Sequence, residues 1–315
     1  MKPLQLLMDE ALEKVEQRAF PEALERYREA RKHAEDPETY FLIGSSIGQL
    51  LEWMGRTRHA ADQYREDLRW LESQVPGRRD LRALGLNNLG RVLLSSDPSE
   101  ALDRLDGACA HYRELTQSDA SHGLSLANTL LARGEAYGRQ QKYWYAKKDF
   151  REALEIYREL DSEQAHALSA QARYQLGNLY AAEGNGNDAR NQYLKARETY
   201  ESILETDRTR YLPLLAAVNN NLAEVQGDLE EYDQALALFE QSLGAYLELA
   251  GSRPVIFKPY LANTHTRMAI LLADVFRDFA RALEHNFEAL QLYEALCESF
   301  PDRYKHNLAT ACHNT

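Results

Sequence analysis

Positive charge is what this chain is shortest of. Its 37 Lys and Arg stand against 49 Asp and Glu, a formal net charge of −12. Binding a nucleic acid takes a basic stripe that displaces counterions from the phosphates, and anionic lipid surfaces likewise attract cations. The balance argues against direct nucleic-acid and membrane partners and is compatible with neutral or basic protein partners. Cysteine is also scarce. Cys109, Cys297 and Cys312 are odd in number and fit no zinc spacing, so a reduced, cytoplasmic compartment is expected. No apolar run reaches membrane-spanning length without charges. The opening MKPLQLLMDEALEK turns acidic before a secretory signal could form. Only 9 prolines occur, and β-branched residues are few, which leaves little to interrupt helices or to favour strands.

What is abundant is Ala, Leu, Glu, Arg and Tyr, mostly residues high on the helix-propensity scale. At 315 residues the chain is long for one hydrophobic core. A repeat array escapes that limit, because its core grows along one axis. Self-similarity supports the array. The segments LNNLGRVLLSSDPSEALDRLDGA, LLARGEAYGRQQKYWYAKKDFREA, YQLGNLYAAEGNGNDARNQYLKA and NNLAEVQGDLEEYDQALALFEQS share one pattern. A small residue is followed by a large apolar one, then by Ala, then four residues later by an aromatic or Leu.

This pattern resembles the tetratricopeptide repeat, a pair of antiparallel helices with small residues at repeat positions 8, 20 and 27. Ala11, Gly48, Gly90, Gly134, Gly177, Ala223 and Ala269 fill position 8, and Ala23, Ala60, Ala101, Ala146, Ala189, Ala235 and Ala282 fill position 20. Position 24 holds Tyr27, Tyr64, Leu105, Phe150, Tyr193, Phe239 and Asn286. Position 27 is small except at Asp67, so the second and seventh units are the least regular. Small side chains are needed where helix axes approach closely, and the position-24 aromatic fills the space beside them. The third unit is one residue short at its turn, near Pro98, and the seventh has one extra near Asp278.

Most units run about 42 to 47 residues, against about 34 in the commonest form. The resemblance is therefore to the long-unit subclass found in kinesin light chains and bacterial regulators. It implies an all-α fold of about fifteen helices in a right-handed superhelical solenoid. The expected organisation is a single solenoid with units at about 4–37, 41–78, 83–120, 127–162, 170–208, 216–253 and 262–300, then a last unpaired helix at 302–315. In that last segment Ala309 and Asn314 fall in register with Ala216 and Asn221. It reads either as a terminal cap or as the start of a further unit.

In the family the first helix of each unit lines a concave groove. The resemblance places Asn88, Asn128, Gln171, Tyr174, Asn178, Asn221, Asn263 and Arg267 there. An amide side chain carries both a donor and an acceptor, so a row of them can pair with the backbone of an extended peptide. The other reading of these amides is pairing with neighbouring helix ends or water. Asn178, Asn221 and Arg267 also match part of the carboxylate clamp of chaperone-binding relatives. Tyr174 and Asn263 stand where that clamp needs Lys, so the charge-assisted part is incomplete. Outside the groove, Trp144 and Tyr145 occupy normally polar positions. They read either as interface anchors or as cover for the edge of a neighbouring unit. Trp53 and Trp70 are expected in packing between the first three units.

Chemistry finds no foothold. The Gly-rich EGNGNDA at 183–189 lacks the strand before and the Lys-Ser/Thr after that a phosphate loop requires. The nine histidines show no metal-binding spacing. The expected function is a protein–protein interaction scaffold or adaptor, without enzyme activity, cofactor or metal. The alternative is a regulatory or sensor module controlling an attached or associated effector such as a protease. Self-association through the C-terminal unit is a further possibility.

Overall fold

The computed structural model describes residues 3–160 and 162–314, leaving aside the side chain of Asn314, so the register of Asn314 with Asn221 lies outside it. The chain forms two compact units, Met1–Leu160 and Asp161–Thr315. Among the described residues both are built from helices with no strand.

The first unit contains α1 (Leu4–Glu16), α2 (Phe20–Lys32), α3 (Pro37–Trp53), α4 (Thr57–Gln74), α5 (Arg79–Leu93), α6 (Pro98–Ser118), α7 (Gly123–Arg139) and α8 (Tyr143–Leu160). The second contains α9 (Glu163–Ala182), α10 (Gly186–Ile203), α11 (Arg208–Asp228), α12 (Tyr232–Ser252), α13 (Pro254–Leu271), α14 (Phe279–Ser299) and α15 (Pro301–Asn314). Within each unit every helix packs on its neighbours in sequence, as a stack of helix pairs must. Several helices start on a side-chain cap. Asp36, Asp97, Asp207 and Asp278 each accept from a backbone N–H at the first turn, as does Ser162. Pro37, Pro98, Pro254 and Pro301 sit at helix starts, where the missing N–H has no helical partner to lose. Pro37, Pro254 and Pro301 each open the first helix after a turn between pairs.

In four pairs a position-8 glycine meets the position-24 side chain. A Cβ added at Gly48 would lie 2.2 Å from the Tyr64 ring, and at Gly177 2.4 Å from the Tyr193 ring. Gly134 stands in the same relation to Phe150, and Gly90 to Leu105. Helix pairing here rests on an aromatic or Leu seated where a side chain is absent. The apolar interior of the first unit is centred on Leu7, Ile43, Ile47, Leu50, Tyr64 and Leu89. That of the second is centred on Tyr193, Tyr200, Tyr211, Leu222, Phe239 and Met268. Trp70 stacks on Tyr40 at 4.2 Å, as expected for a packing residue. Trp53 touches Phe20 but leaves over half its surface exposed, so it is less enclosed than the sequence suggested.

Candidate functional site

In the second unit, α9, α11, α13 and α15 turn their inner faces to a groove of about 660 Å³. Four of the residues expected from the sequence line it: Tyr174 from α9, Asn221 from α11, and Asn263 and Arg267 from α13. Three more amides or cations join them, Asn220, Arg303 and Asn307. Aromatic walls come from Tyr246, Tyr260, Tyr293 and Tyr304, and an apolar rim from Val255, Ile256 and Pro259. Among the described residues no Asp or Glu lines this groove, in a chain of net charge −12.

The floor is a hydrogen-bond network. Asn221 Nδ2 donates to the Tyr174 hydroxyl at 3.0 Å and to Asn178 Oδ1 at 2.9 Å. The Tyr193 hydroxyl also donates to Asn178 Oδ1, at 2.7 Å, and Asn178 Nδ2 donates to Gln175 Oε1 at 3.1 Å. Asn178 thus accepts two bonds and donates one, and it is not among the residues that line the groove. Its role in this geometry is to hold Asn221, whose bonds use only its amide nitrogen. Arg267 Nε donates to Asn263 Oδ1 at 2.7 Å, and its guanidinium pairs with Glu224. Asn220 accepts from the Thr264 hydroxyl at 3.1 Å. Burial raises the pKa of Tyr174, Tyr246 and Tyr293, so these hydroxyls remain donors across the physiological range. Tyr260 stacks on Tyr246 at 5.5 Å, with its own ring half exposed.

The remaining expected residues lie elsewhere. Asn88 lines a smaller groove of about 310 Å³ in the first unit, with Gln49, Trp53 and Arg91. Asn128 accepts from the Tyr157 hydroxyl at 2.8 Å within its own helix pair. Gln171 is on α9 but outside the groove lining. Trp144 and Tyr145 stand at the start of α8 in the first unit.

Sequence reading missed the walls. Tyr246 and Tyr293 each follow position 24 by seven residues, as do Tyr112, Tyr157 and Tyr200 in other pairs. All five are buried. This second aromatic column recurs seven residues beyond position 24, outside the positions 8, 20, 24 and 27 that mark the repeat. Tyr304 and Asn307 belong to α15, which sequence reading treated only as a cap or an unfinished unit.

The stacked helix pairs of each unit share the fold of solved structures with tetratricopeptide repeats. A family model for the tetratricopeptide repeat matches residues 168–248, the stretch that carries Tyr174, Asn178 and Asn221. Solved structures share the fold. The chain is 19% identical to BtubC from P. vanneervenii, covering 77% of this chain and 91% of that one, with a TM-score of 0.61. The apo form of RapI is 16% identical over 93% of this chain and 77% of its own, with a TM-score of 0.65. A signal transduction ATPase with numerous domains and a tetratricopeptide repeat sensor, from Pyrococcus horikoshii, is 14% identical, with a TM-score of 0.70. That match covers 96% of this chain and 44% of the larger protein. No curated protein matches the sequence. Among the described residues no helix is long and apolar enough to cross a membrane, and no three His, Cys, Asp or Glu side chains gather as a metal site.

Proposed function

We propose that this chain is a protein-interaction module that holds an extended peptide or protein segment in the groove of its second unit. The observation that carries the reading is the groove's make-up: an amide floor, tyrosine walls and an exposed apolar rim. Asn221, Asn263 and Asn307 offer donors and acceptors of the kind a peptide backbone needs. Tyr246, Tyr260 and Tyr293 offer large rigid surfaces to its side chains. Val255 and Ile256 are 66% and 53% exposed, an apolar margin that a bound segment would cover. The floor is hydrogen-bonded before any ligand arrives, which lowers the ordering cost of binding.

A regulatory role is the second reading. There the occupied groove controls an attached or associated effector, and the likeness to a solenoid that serves as a sensor favours it. Both readings need the same groove. The test is selection of binding peptides from a random displayed library, followed by fluorescence anisotropy with the winners. Tyr260→Ser combined with Asn263→Ala should weaken binding about tenfold or more, with the helical circular dichroism unchanged. Undiminished affinity in that variant would overturn the assignment of the groove.

A further inference from the structure

The first unit carries a feature that the groove does not explain. Trp144 and Tyr145 are 66% and 51% exposed at the start of α8. The corresponding places in four other pairs hold polar residues, Arg58 and His59, Ser99 and Glu100, Asn187 and Asp188, Asp233 and Gln234, and the remaining two hold Pro21 with Glu22 and Ala280 with Arg281. The repeat pattern thus asks for no aromatic there. Nor are the two rings loose. Tyr145 stacks on Tyr137 of α7, with centroids 5.2 Å apart and planes at 28°. Trp144 meets Tyr145 edge-on at 4.9 Å. The Lys148 ammonium sits 5.8 Å from the centre of the Trp144 ring. At the inner end Arg133 stands 5.9 Å from the Tyr137 ring and is itself fixed by Asp149 and Asp106. The result is a continuous aromatic ladder leading from a buried ion pair out to solvent.

Along residues 139–151 the charge is reversed relative to the chain. Residues 139–151 contain five cations and one acid. That acid, Asp149, is buried and committed to Arg133. Arg139, Lys142 and Lys148 are exposed and form no ion pair among the described residues. The first turn of α8, like those of α4 and α14, has no acidic residue, whereas α2, α6, α10 and α12 carry Glu22, Glu100, Asp188 and Asp233 there. An acid in that turn would stabilise the helix end.

We propose that the turn between α7 and α8, with the first two turns of α8, is a docking surface for an acidic protein segment. Its anchor is an apolar or aromatic side chain packed on Trp144 and Tyr145, with carboxylates set against Lys142, Lys148 and Arg139. Rigid exposed Trp and Tyr give contact area at small entropic cost. Charge complementarity selects the partner and speeds its arrival. Beyond a Debye length of about 8 Å at physiological salt the chain's net negative charge is screened, so a short acidic segment meets only the patch. A nucleic-acid strand would extend past it onto acidic surface, which disfavours that occupant.

The test uses the full chain and a fluorescein-labelled synthetic peptide of alternating Glu and Phe, with a Gln-for-Glu analogue and a labelled oligothymidylate as comparators. Wild-type protein should bind the acidic peptide, weaken as salt rises, and hold the Gln analogue at least about tenfold less tightly. Trp144→Ser with Tyr145→Ser should reduce binding about tenfold or more. Lys142→Glu with Lys148→Glu should do the same and flatten the salt dependence. Both variants change exposed residues, and their circular dichroism should match the wild type. Asn263→Ala in the second unit should leave this binding unchanged. Three results would each overturn the proposal: no binding of the acidic peptide, equal binding by wild type and the Trp144/Tyr145 variant, or tighter binding of the oligothymidylate.

Discussion

Asp67 shows how a single residue can break the repeat pattern and still be accommodated. It stands where close helix approach calls for Ala, and it is 1% exposed. Gly44 opposite makes the room, since a Cβ there would lie 2.5 Å from the Asp67 carboxylate. Arg31, nearly buried itself, pairs with Asp67, and Gln63 donates to the same oxygen at 2.9 Å. The guanidinium also lies 4.2 Å from the centre of the Tyr40 ring. Desolvation nonetheless dominates and raises the Asp67 pKa from 3.8 to about 6. A raised carboxylate pKa means the folded state takes up the proton first. Stability therefore rises as pH falls through about 6 towards 3.8. Arg31→Met removes the opposing charge while keeping much of the volume. It should cost about 3 kcal/mol at pH 7, the scale for stranding one member of a buried pair. Without Arg31 the Asp67 pKa rises further, so the loss should shrink as pH falls towards 6 and level off below it, where Asp67 is protonated in both proteins. Urea unfolding of both proteins between pH 4 and pH 7.5 checks this, and a pH-independent difference would contradict it. From sequence alone Asp67 reads only as an irregularity. Its partner is 36 residues earlier on another helix pair, and no local pattern links them. Gly177 with Tyr193 was legible because the same spacing recurs from unit to unit.

At the scale of the elements, the turns inside the helix pairs follow one rule. Arg18, Gly55, Gln141, Gly184, Glu230 and Arg277 all have positive φ, each between the two helices of a pair. One left-handed residue reverses the chain. The pair α5–α6 has no such residue, and its turn is the one that sequence comparison found one residue short. The pair α13–α14 absorbs its extra residue in a π-helical turn, Leu272–Phe276, closed by Asp278 N donating to Leu272 O at 3.0 Å. Turn lengths were thus legible in the sequence. Their conformations were not, because Arg, Gln and Glu give no local sign of a left-handed backbone and only Gly55 and Gly184 advertise it. Two glycines in one helix pair separate the causes. At Gly184 φ is +77° and nothing lies within 4 Å of an added Cβ. Gly184→Ala should therefore cost about 1 kcal/mol through the backbone alone. At Gly177 the backbone is helical, but the Tyr193 ring occupies the space. Gly177→Ala should cost about 1–3 kcal/mol through overpacking, and Gly177→Ala with Tyr193→Leu should recover part of that loss. Guanidinium titrations of the three variants test both causes. Equal costs at the two sites, with no recovery in the double variant, would refute the distinction.

For the molecule as a whole, stability in such a stack is a sum of helix-pair terms and nearest-neighbour interfaces. Within the first unit one apolar cluster is formed by residues between Leu7 and Ala101, and within the second another by residues between Ala167 and Ala282. A local defect should therefore loosen its own neighbourhood and spare distant pairs. Gly48→Val supplies such a defect. Even a Cβ at Gly48 would overlap the Tyr64 ring at 2.2 Å, so α3 and α4 cannot keep their approach. Because α4 packs on α5, and α3 on α2, amide hydrogen exchange should accelerate about tenfold or more through α2 to α5. Protection in α11 to α14 should stay within about twofold of the wild type, since no contact in their own core has changed. Exchange read by mass spectrometry, helix by helix under native conditions, decides the matter. If protection fell equally in both units, folding would be a single all-or-none event and the nearest-neighbour account would fail. If it fell only around α2 to α5, the second unit would keep its groove while the first frayed. A variant damaged in the first unit would then still bind peptides through Asn221, Asn263 and Tyr260. The α7–α8 surface also lies outside α2 to α5, so binding of the acidic peptide should likewise survive in this variant.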